Sequence, residues 1–333
     1  MSKVRVGVIG TGVMGTSHVR MLSRWVARAE VVTAYDADVA RVKQVCQEVG
    51  ARTADGPESV IGGDDVDAVL IAAPDPLHQD LVLSCIAAGK PVLCEKPLAT
   101  SADGSQEIVD AEVALGRRLV QVGFMRRYDP AYVALRSTVA DGGLGAVRVV
   151  HCVHRNPEAH PTATSEGIVT NSMIHELDTV PWLLDDTWTA VTMTVPTVAD
   201  GALRDPQIGV LETAGGVVVT TEVFVNARYG YDVQCEVVGD AGTARLTPPY
   251  GLGFRRGGSD GFPVAPDFVV RFDDAYRFEL SAWVDAVASG TGSGPSAWDA
   301  HRADLAAEAA RRSLTSGVRE TITTPDPPDL YRP

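Results

Sequence analysis

From Val4 to Val122, short apolar runs alternate with stretches of helical period. Val4–Ile9, Val31–Tyr35, Val66–Ala73, Pro91–Glu95 and Arg118–Val122 read as strands, mostly as continuous apolar runs of the kind buried on both sheet faces. Between them Thr16–Ala29, Val39–Val49, Leu77–Ala88 and Gln106–Gly116 space their apolar residues as helices do. Strands separated by helices of this length imply right-handed βαβ units and a parallel sheet.

The pattern changes near residue 122. After a helix at Ala131–Ala140 come strand-like segments at Val147–His154, Ala190–Val198, Gly209–Thr213, Val217–Asn226, Asp232–Gly239 and Thr243–Leu246. Links such as Gly215-Gly216 and Asp240–Gly242 are short and turn-forming, so hairpins of a mostly antiparallel sheet are expected. A helix at Ser172–Leu184 interrupts the set, Pro248–Pro266 reads as an exposed loop, helices return at Ala275–Ala288 and Ala300–Ser316, and the tail is expected to be extended. The reading is an α/β chain with a parallel-sheet domain at 1–122 and a second α/β domain at 123–333.

Composition narrows the partners. The chain has 333 residues, 45% hydrophobic and 22% charged, which suits two globular domains. Its formal charge of −14 should repel polyanions, so no nucleic acid is expected. The five cysteines include no CxxC pair, which argues against a disulfide framework or a zinc site. No apolar run is long enough for a membrane span and no signal-peptide layout is seen; the expected compartment is the cytoplasm.

Gly10-Thr11-Gly12-Val13-Met14-Gly15 follows an apolar strand and opens a helix. The first glycine permits the turn, the second lets backbone approach a pyrophosphate, and the third lets helix and strand pack closely. Asp36 ends the second strand, about 20 residues further on, where a carboxylate binds ribose hydroxyls and repels a 2′-phosphate. NAD is therefore expected rather than NADP. The competing reading is a glycine-rich turn with a chance aspartate. Ala72-Ala73-Pro74-Asp75-Pro76-Leu77-His78 lies past another parallel strand, at the edge where such sheets bind ligands; Ala73, Pro74, Asp75 and His78 are cofactor-contact candidates, or simply a turn capping the next helix.

Glu95-Lys96-Pro97 ends the next strand, so Lys96 is expected at the same edge, where an ammonium can stabilise a developing alkoxide. The alternative is a strand-end surface lysine. In the second region Asn171, His175 and Asp178 stand at i, i+4 and i+7, so a regular helix puts them on one face. A histidine among polar partners can act as a general base near neutral pH; the alternative is an amide cap and a satisfied histidine. His151 and His154 are too few to hold a metal, and none is expected.

These pieces in this order resemble the glucose–fructose oxidoreductase/inositol dehydrogenase/MocA (Gfo/Idh/MocA) family over essentially the whole chain. GTGVMG, AAPDPLH, CEKP, QVGFMRRYDP, HRNP, IHELD, YGYDVQCEVVGD and AYRFEL carry the likeness, closest to its myo-inositol 2-dehydrogenase branch. The resemblance implies an NAD-binding Rossmann domain and a second domain with an open, mostly antiparallel sheet that usually mediates dimers or tetramers. It makes Lys96 the lysine beside the reacting hydroxyl, with Lys96–Pro97 a candidate cis bond, and His175 the proton acceptor. It places Met125, Arg126, His154, Asn156, Asn171, Asp178 and Tyr231 around a cyclitol ring, and Glu95 and Tyr276 near the cofactor. One departure stands out: the family commonly has aspartate where this chain has Asn171, and an amide supplies no negative charge. The expected activity is oxidation of a ring alcohol of a cyclitol, myo-inositol first. Scyllo-inositol, an aminocyclitol or a biosynthetic sugar is an alternative substrate, and an NAD-binding redox sensor is the alternative of another class.

Overall fold

The structure is a computed structural model, which describes residues 3–199, 201–247, 253–292 and 294–332. In chain order its strands and helices are β1 (Val4–Ile9), α1 (Val13–Trp25), β2 (Ala29–Tyr35), α2 (Val39–Val49), β3 (Arg52–Thr53), α3 (Pro57–Ile61), β4 (Ala68–Ile71), α4 (His78–Ala87), β5 (Val92–Cys94), α5 (Ala102–Leu115) and β6 (Val120–Val122). There follow α6 (Pro130–Ala140), β7 (Val147–Arg155), α7 (Ser165–Ile168), α8 (Ile174–Leu184), β8 (Trp188–Thr194), β9 (Gln207–Thr213), β10 (Val218–Phe224), β11 (Asp232–Gly239) and β12 (Thr243–Arg245). The chain ends with β13 (Phe254–Arg256), β14 (Ser259–Gly261), α9 (Phe268–Arg271), α10 (Asp273–Ser289), α11 (Ala297–Ser316) and β15 (Glu320–Thr321).

Two compact units result. The first comprises residues 1–128, 274–304 and 325–333; the second comprises 129–273 and 305–324. In the first, six parallel strands run in the order β3-β2-β1-β4-β5-β6. The order reverses between β1 and β4, so the turns after Ile9 and Ile71 flank the switch point where open α/β sheets bind ligands. Val6, Val8, Val69, Leu70 and Leu93 are fully buried, as strands covered on both faces require. Helix ends follow local chemistry: the Asp38 side chain accepts from Arg41 N at α2, Ser101 does the same for Gly104 N at α5, and left-handed Gly50 and Gly116 close those two helices.

In the second unit the sheet order is β12-β11-β7-β10-β9-β8-β15. Every pair is antiparallel except β7 with β10. Val150, Leu211, Val219 and Val237 form the buried face, and the Trp188 indole N–H donates to Leu177 O of α8 at 2.9 Å. Alternate positions Ile208, Val210 and Val218 remain exposed. Asp129 accepts from Ala131 N and Tyr132 N at the start of α6 and pairs with Arg271 at 2.8 Å, both side chains being buried.

Several boundaries differ from the sequence expectation. α1 begins at Val13 rather than Thr16, because the glycine fingerprint is itself the helix start; it stops at Trp25, and Ala29 opens β2. The stretch read as a loop from Pro248 to Pro266 contains the β13–β14 hairpin, while 248–252 lie outside the described residues. β3, α3, α9 and β15 have two to five residues, too few for a periodicity to register. The helix expected from Ser172 starts as α-helix only at Ile174, after a wider π turn over Val169–Met173. No helix among the described residues is long and apolar enough to cross a membrane.

Candidate active site

In the first unit the glycine turn is shaped by contacts that exclude side chains. Gly10 has φ +93°, and a Cβ there would lie 2.3 Å from Ala72 O; at Gly15 it would lie 1.9 Å from Gly10 O. At Gly12 a Cβ would meet nothing within 4 Å, so this side of the turn is open, and Gly12 begins α1 with no side-chain cap on its N–H groups. Thr11 is buried, and Val13 and Met14 start the helix. An open turn at a helix N-terminus can cradle a phosphate.

Asp36 sits beside it. One carboxylate oxygen accepts from Thr11 N at 2.6 Å and Thr11 Oγ1 at 3.0 Å; the other accepts from Asp38 N and the Arg41 guanidinium, both at 2.8 Å. Burial pushes the carboxyl up, but the Asp38 and Thr11 N–H groups and Arg41 hold it below its usual value. These residues fit the adenine ribose and pyrophosphate of a dinucleotide.

The turn after β4 holds Ala73, Pro74 and Asp75, with a short 3-10 turn over Asp75–Leu77. His78 is buried, its Nδ1 lying 2.6 Å from Pro97 O and its Nε2 2.8 Å from Ala73 O. It braces this turn against the one that carries Lys96, whose bond to Pro97 is cis. Lys96 is half-buried. Burial lowers its pKa, Glu95 and Asp75 oppose that, and Arg126 adds to it. Met125 and Arg126 are buried in a 3-10 turn after β6. Tyr276 of α10 is buried with its ring edge-on to His18.

The second unit gathers a separate polar group. His154 of β7 and His175 and Asp178 of α8 are buried. The His154 and His175 rings lie 6.1 Å apart. His154 Nδ1 is 3.3 Å from Glu176 Oε2, and Tyr231 Oη is 3.4 Å from His154 Nε2. Tyr231 is held by its N–H to Ala265 O and by edge contacts with Phe268 and Phe272. Asn156 follows β7, and its Oδ1 is buried without a hydrogen-bond partner among the described residues. Asn171 lies in the π turn and is exposed, while His175 and Asp178 are buried. A π turn adds a residue and shifts the i, i+4 alignment.

Residues 4–124 match the family described as oxidoreductase family, NAD-binding Rossmann fold, and residues 132–245 match the GFO/IDH/MocA C-terminal domain. The chain belongs to the Gfo/Idh/MocA oxidoreductase family. Within that family it is 49% identical to inositol 2-dehydrogenase 1 of Saccharopolyspora erythraea over 98% of this chain and 99% of that one. It is 44% identical to inositol 2-dehydrogenase of Paracoccus denitrificans, over 98% and 99% of the respective chains. The crystal structure of myo-inositol dehydrogenase from Lactobacillus casei in complex with NAD(H) and myo-inositol is also similar. Its TM-score is 0.94 and its identity 36%, over 99% of this chain and 100% of that one. The NAD expected from the glycine turn and Asp36 is the cofactor of this Rossmann family.

Three residues in and around these clusters were not singled out from sequence: His18, Arg41 and Glu176. His18 had a signal, since it falls on the apolar face of α1 with Val19 and Leu22. Glu176 sits inside the IHELD motif, but its bond to His154 is set by a strand 22 residues away.

Proposed function

We propose that the chain is an NAD-dependent dehydrogenase that oxidises a ring secondary alcohol of a cyclitol, myo-inositol first, to the corresponding ketone. What carries the reading is the full-length likeness to inositol 2-dehydrogenases and to a myo-inositol dehydrogenase with myo-inositol bound, joined to a chain that has a lysine after the β5 strand end and a buried histidine on α8. NAD, when bound, accepts the hydride. Gly10–Gly15 and Asp36 hold its pyrophosphate and ribose, and the Ala73–Asp75 turn, His78, Glu95 and Tyr276 support the cofactor side. His175 takes the hydroxyl proton, Lys96 stabilises the developing alkoxide, and Met125, Arg126, His154, Asn156, Asp178 and Tyr231 recognise the ring. The unpartnered Asn156 Oδ1 suits a substrate rich in hydroxyl donors.

Lys96→Met and His175→Ala should each lose about 10²–10⁴-fold in kcat while binding NADH as before. Normal turnover in either rejects the role given to that residue. Asn171 favours a second reading in which the substrate is scyllo-inositol, an aminocyclitol or a sugar, since Asn171 cannot hold His175 with negative charge. Rates of NADH formation across a polyol panel separate the two; tight NADH binding with no polyol oxidised would favour a redox sensor instead. The exposed Ile208, Val210 and Val218 support a homo-oligomer, dimer or tetramer, formed through the sheet, which light scattering of the purified protein tests.

A further inference from the structure

We propose that Asp205 is a positioning residue for Asn156, acting through the end of β10 and the Asn226 side chain, and that it thereby sets the affinity for the ring substrate. The proposal rests on the reading of Asn156 as one of the groups that recognise that ring.

Asn156 is the first residue after β7. Its N–H donates to Phe224 O and its carbonyl accepts from Ala227 N, both at 2.9 Å. Along β7 His154 is buried while Arg155 pairs with Glu222, and strand alternation puts Asn156 on the His154 side. The Asn156 Oδ1 is buried with no hydrogen-bond partner among the described residues, so a hydroxyl donor from the ring would satisfy it.

Asp205 grips the two residues that lie between Phe224 and Ala227. Its Oδ1 accepts from Val225 N and its Oδ2 from Asn226 Nδ2, both at 3.0 Å. The second bond decides which way the Asn226 amide faces. With the nitrogen turned to Asp205, Asn226 Oδ1 accepts from Ala159 N at 3.2 Å. Arg228 N adds a bond to Pro157 O at 3.1 Å. Asp205 itself stands on a fixed strip. Arg204 N donates to Ser165 Oγ at 3.0 Å, and the buried Gln207 donates from Nε2 to Ser165 O at 2.6 Å and to Arg204 O at 3.1 Å. The segment 156–165 is therefore tied at both ends to 204–207: at Ser165 directly, and at Asn156 through β10 and Asn226. The Asp205 carboxylate is the strut that holds the backbone carrying Asn156.

The bonds of Asp205 to Val225 and Asn226, and of Asn226 to Ala159, can be exchanged as a set. Asp205→Asn alone loses one of two acceptors, and Asn226→Asp alone sets two carboxylates face to face. The two together restore every bond: the amide at 205 keeps an oxygen for Val225 N and donates to the carboxylate at 226, which accepts from Ala159 N. KM for myo-inositol should rise about three- to tenfold in Asp205→Ala, Asp205→Asn and Asn226→Asp, with kcat and KM for NAD within about twofold of wild type. The swapped pair Asp205→Asn/Asn226→Asp should return to within about twofold of wild type. Asn156→Ala should raise the same KM about tenfold or more, and adding Asp205→Ala should raise it no further, since the strut then has nothing to position. An Asp205→Ala effect that persists in full on the Asn156→Ala background, a joint loss in kcat and both KM values, or a swapped pair that does not recover overturns the proposal. Should Asp205→Ala not fold, the two single exchanges and the swapped pair carry the test. Asn156→Ala separates the two ideas. If its KM for myo-inositol is that of the wild type, the reading of Asn156 fails and the proposal with it; if that KM rises while the Asp205 and Asn226 variants leave it unchanged, only the role of Asp205 fails.

Discussion

Replacing Asp36 by serine should turn an NAD-selective site into one that takes NADP. The Asp36 side chain is only 10% exposed, so its charge acts through a medium well below the permittivity of water. Two unit charges about 4 Å apart interact by about 4 kcal/mol at an effective dielectric near 20, and by about 1 kcal/mol in water. Arg41, 2.8 Å from one carboxylate oxygen, offsets part of the field, which leaves about 2–3 kcal/mol against a 2′-phosphate. That is about 30- to 150-fold in kcat/KM at 1.4 kcal/mol per decade. Serine removes the repulsion and frees Arg41 to meet the phosphate, so kcat/KM for NADP should rise about 100-fold. NAD loses a charged hydrogen bond to its ribose, about 1.5–3 kcal/mol, and should fall about tenfold or more. Adding Arg41→Ala should cancel much of the NADP gain. Because the Asp36 carboxyl lies below its usual range, its own charge is constant from about pH 5 upward, so a change in the wild-type preference between about pH 5 and 7 follows the 2′-phosphate, whose second pKa is about 6. Steady-state kinetics with both cofactors decides the matter: a ratio unchanged within about threefold in Asp36→Ser would refute the electrostatic argument.

Two further outcomes follow from contacts in the first unit. Gly15→Ala drives a methyl into Gly10 O, so NADH affinity by calorimetry should drop at least about 100-fold while the second unit keeps its fold. Tyr331→Phe removes a 2.6 Å hydrogen bond to buried Glu112, whose other oxygen accepts from Leu119 N and Val120 N. Burial raises the Glu112 carboxyl above its usual 4.5, so its ionisation costs stability as pH climbs from 4.5 through the raised value, and Tyr331 limits that cost. Denaturant unfolding should show a loss of about 2 kcal/mol near pH 8 and clearly less near pH 4, below the usual value of the acid.

The first unit was legible because its strands are mostly apolar runs and its helices keep a helical period: Val4–Ile9 matches β1 and Val39–Val49 matches α2 end to end. The glycine turn and Asp36 were legible for a local reason, since strand, turn and helix succeed one another within one βαβ unit. The π turn before α8 was not, because 169–184 carries apolar residues on nearly every side and gives no sharp period. His18 and Glu112 escaped for a different reason. Each earns its place through a partner brought in by the fold: Glu95 from 77 residues away for His18, and Tyr331 from 219 residues away for Glu112. A polar residue on an apolar face signals that a partner exists but does not name it.

The first unit is assembled from three separate stretches of chain, and this bears on how it can form. Tyr276 covers His18, Trp283 lines one cavity with Leu119 and Val120, Pro295 O receives the Val122 N–H, and Tyr331 reaches Glu112 while stacking on Trp298. A ribosome that has delivered only residues 1–128 has therefore made a parallel sheet with its last strand edge bare, Glu112 without the Tyr331 hydroxyl and His18 without its covering ring. The nascent half must wait, exposed to chaperones, until nearly the whole polypeptide has emerged. Expression of 1–128 alone should yield an aggregating fragment, and co-expression with the remainder should be the condition under which it becomes soluble.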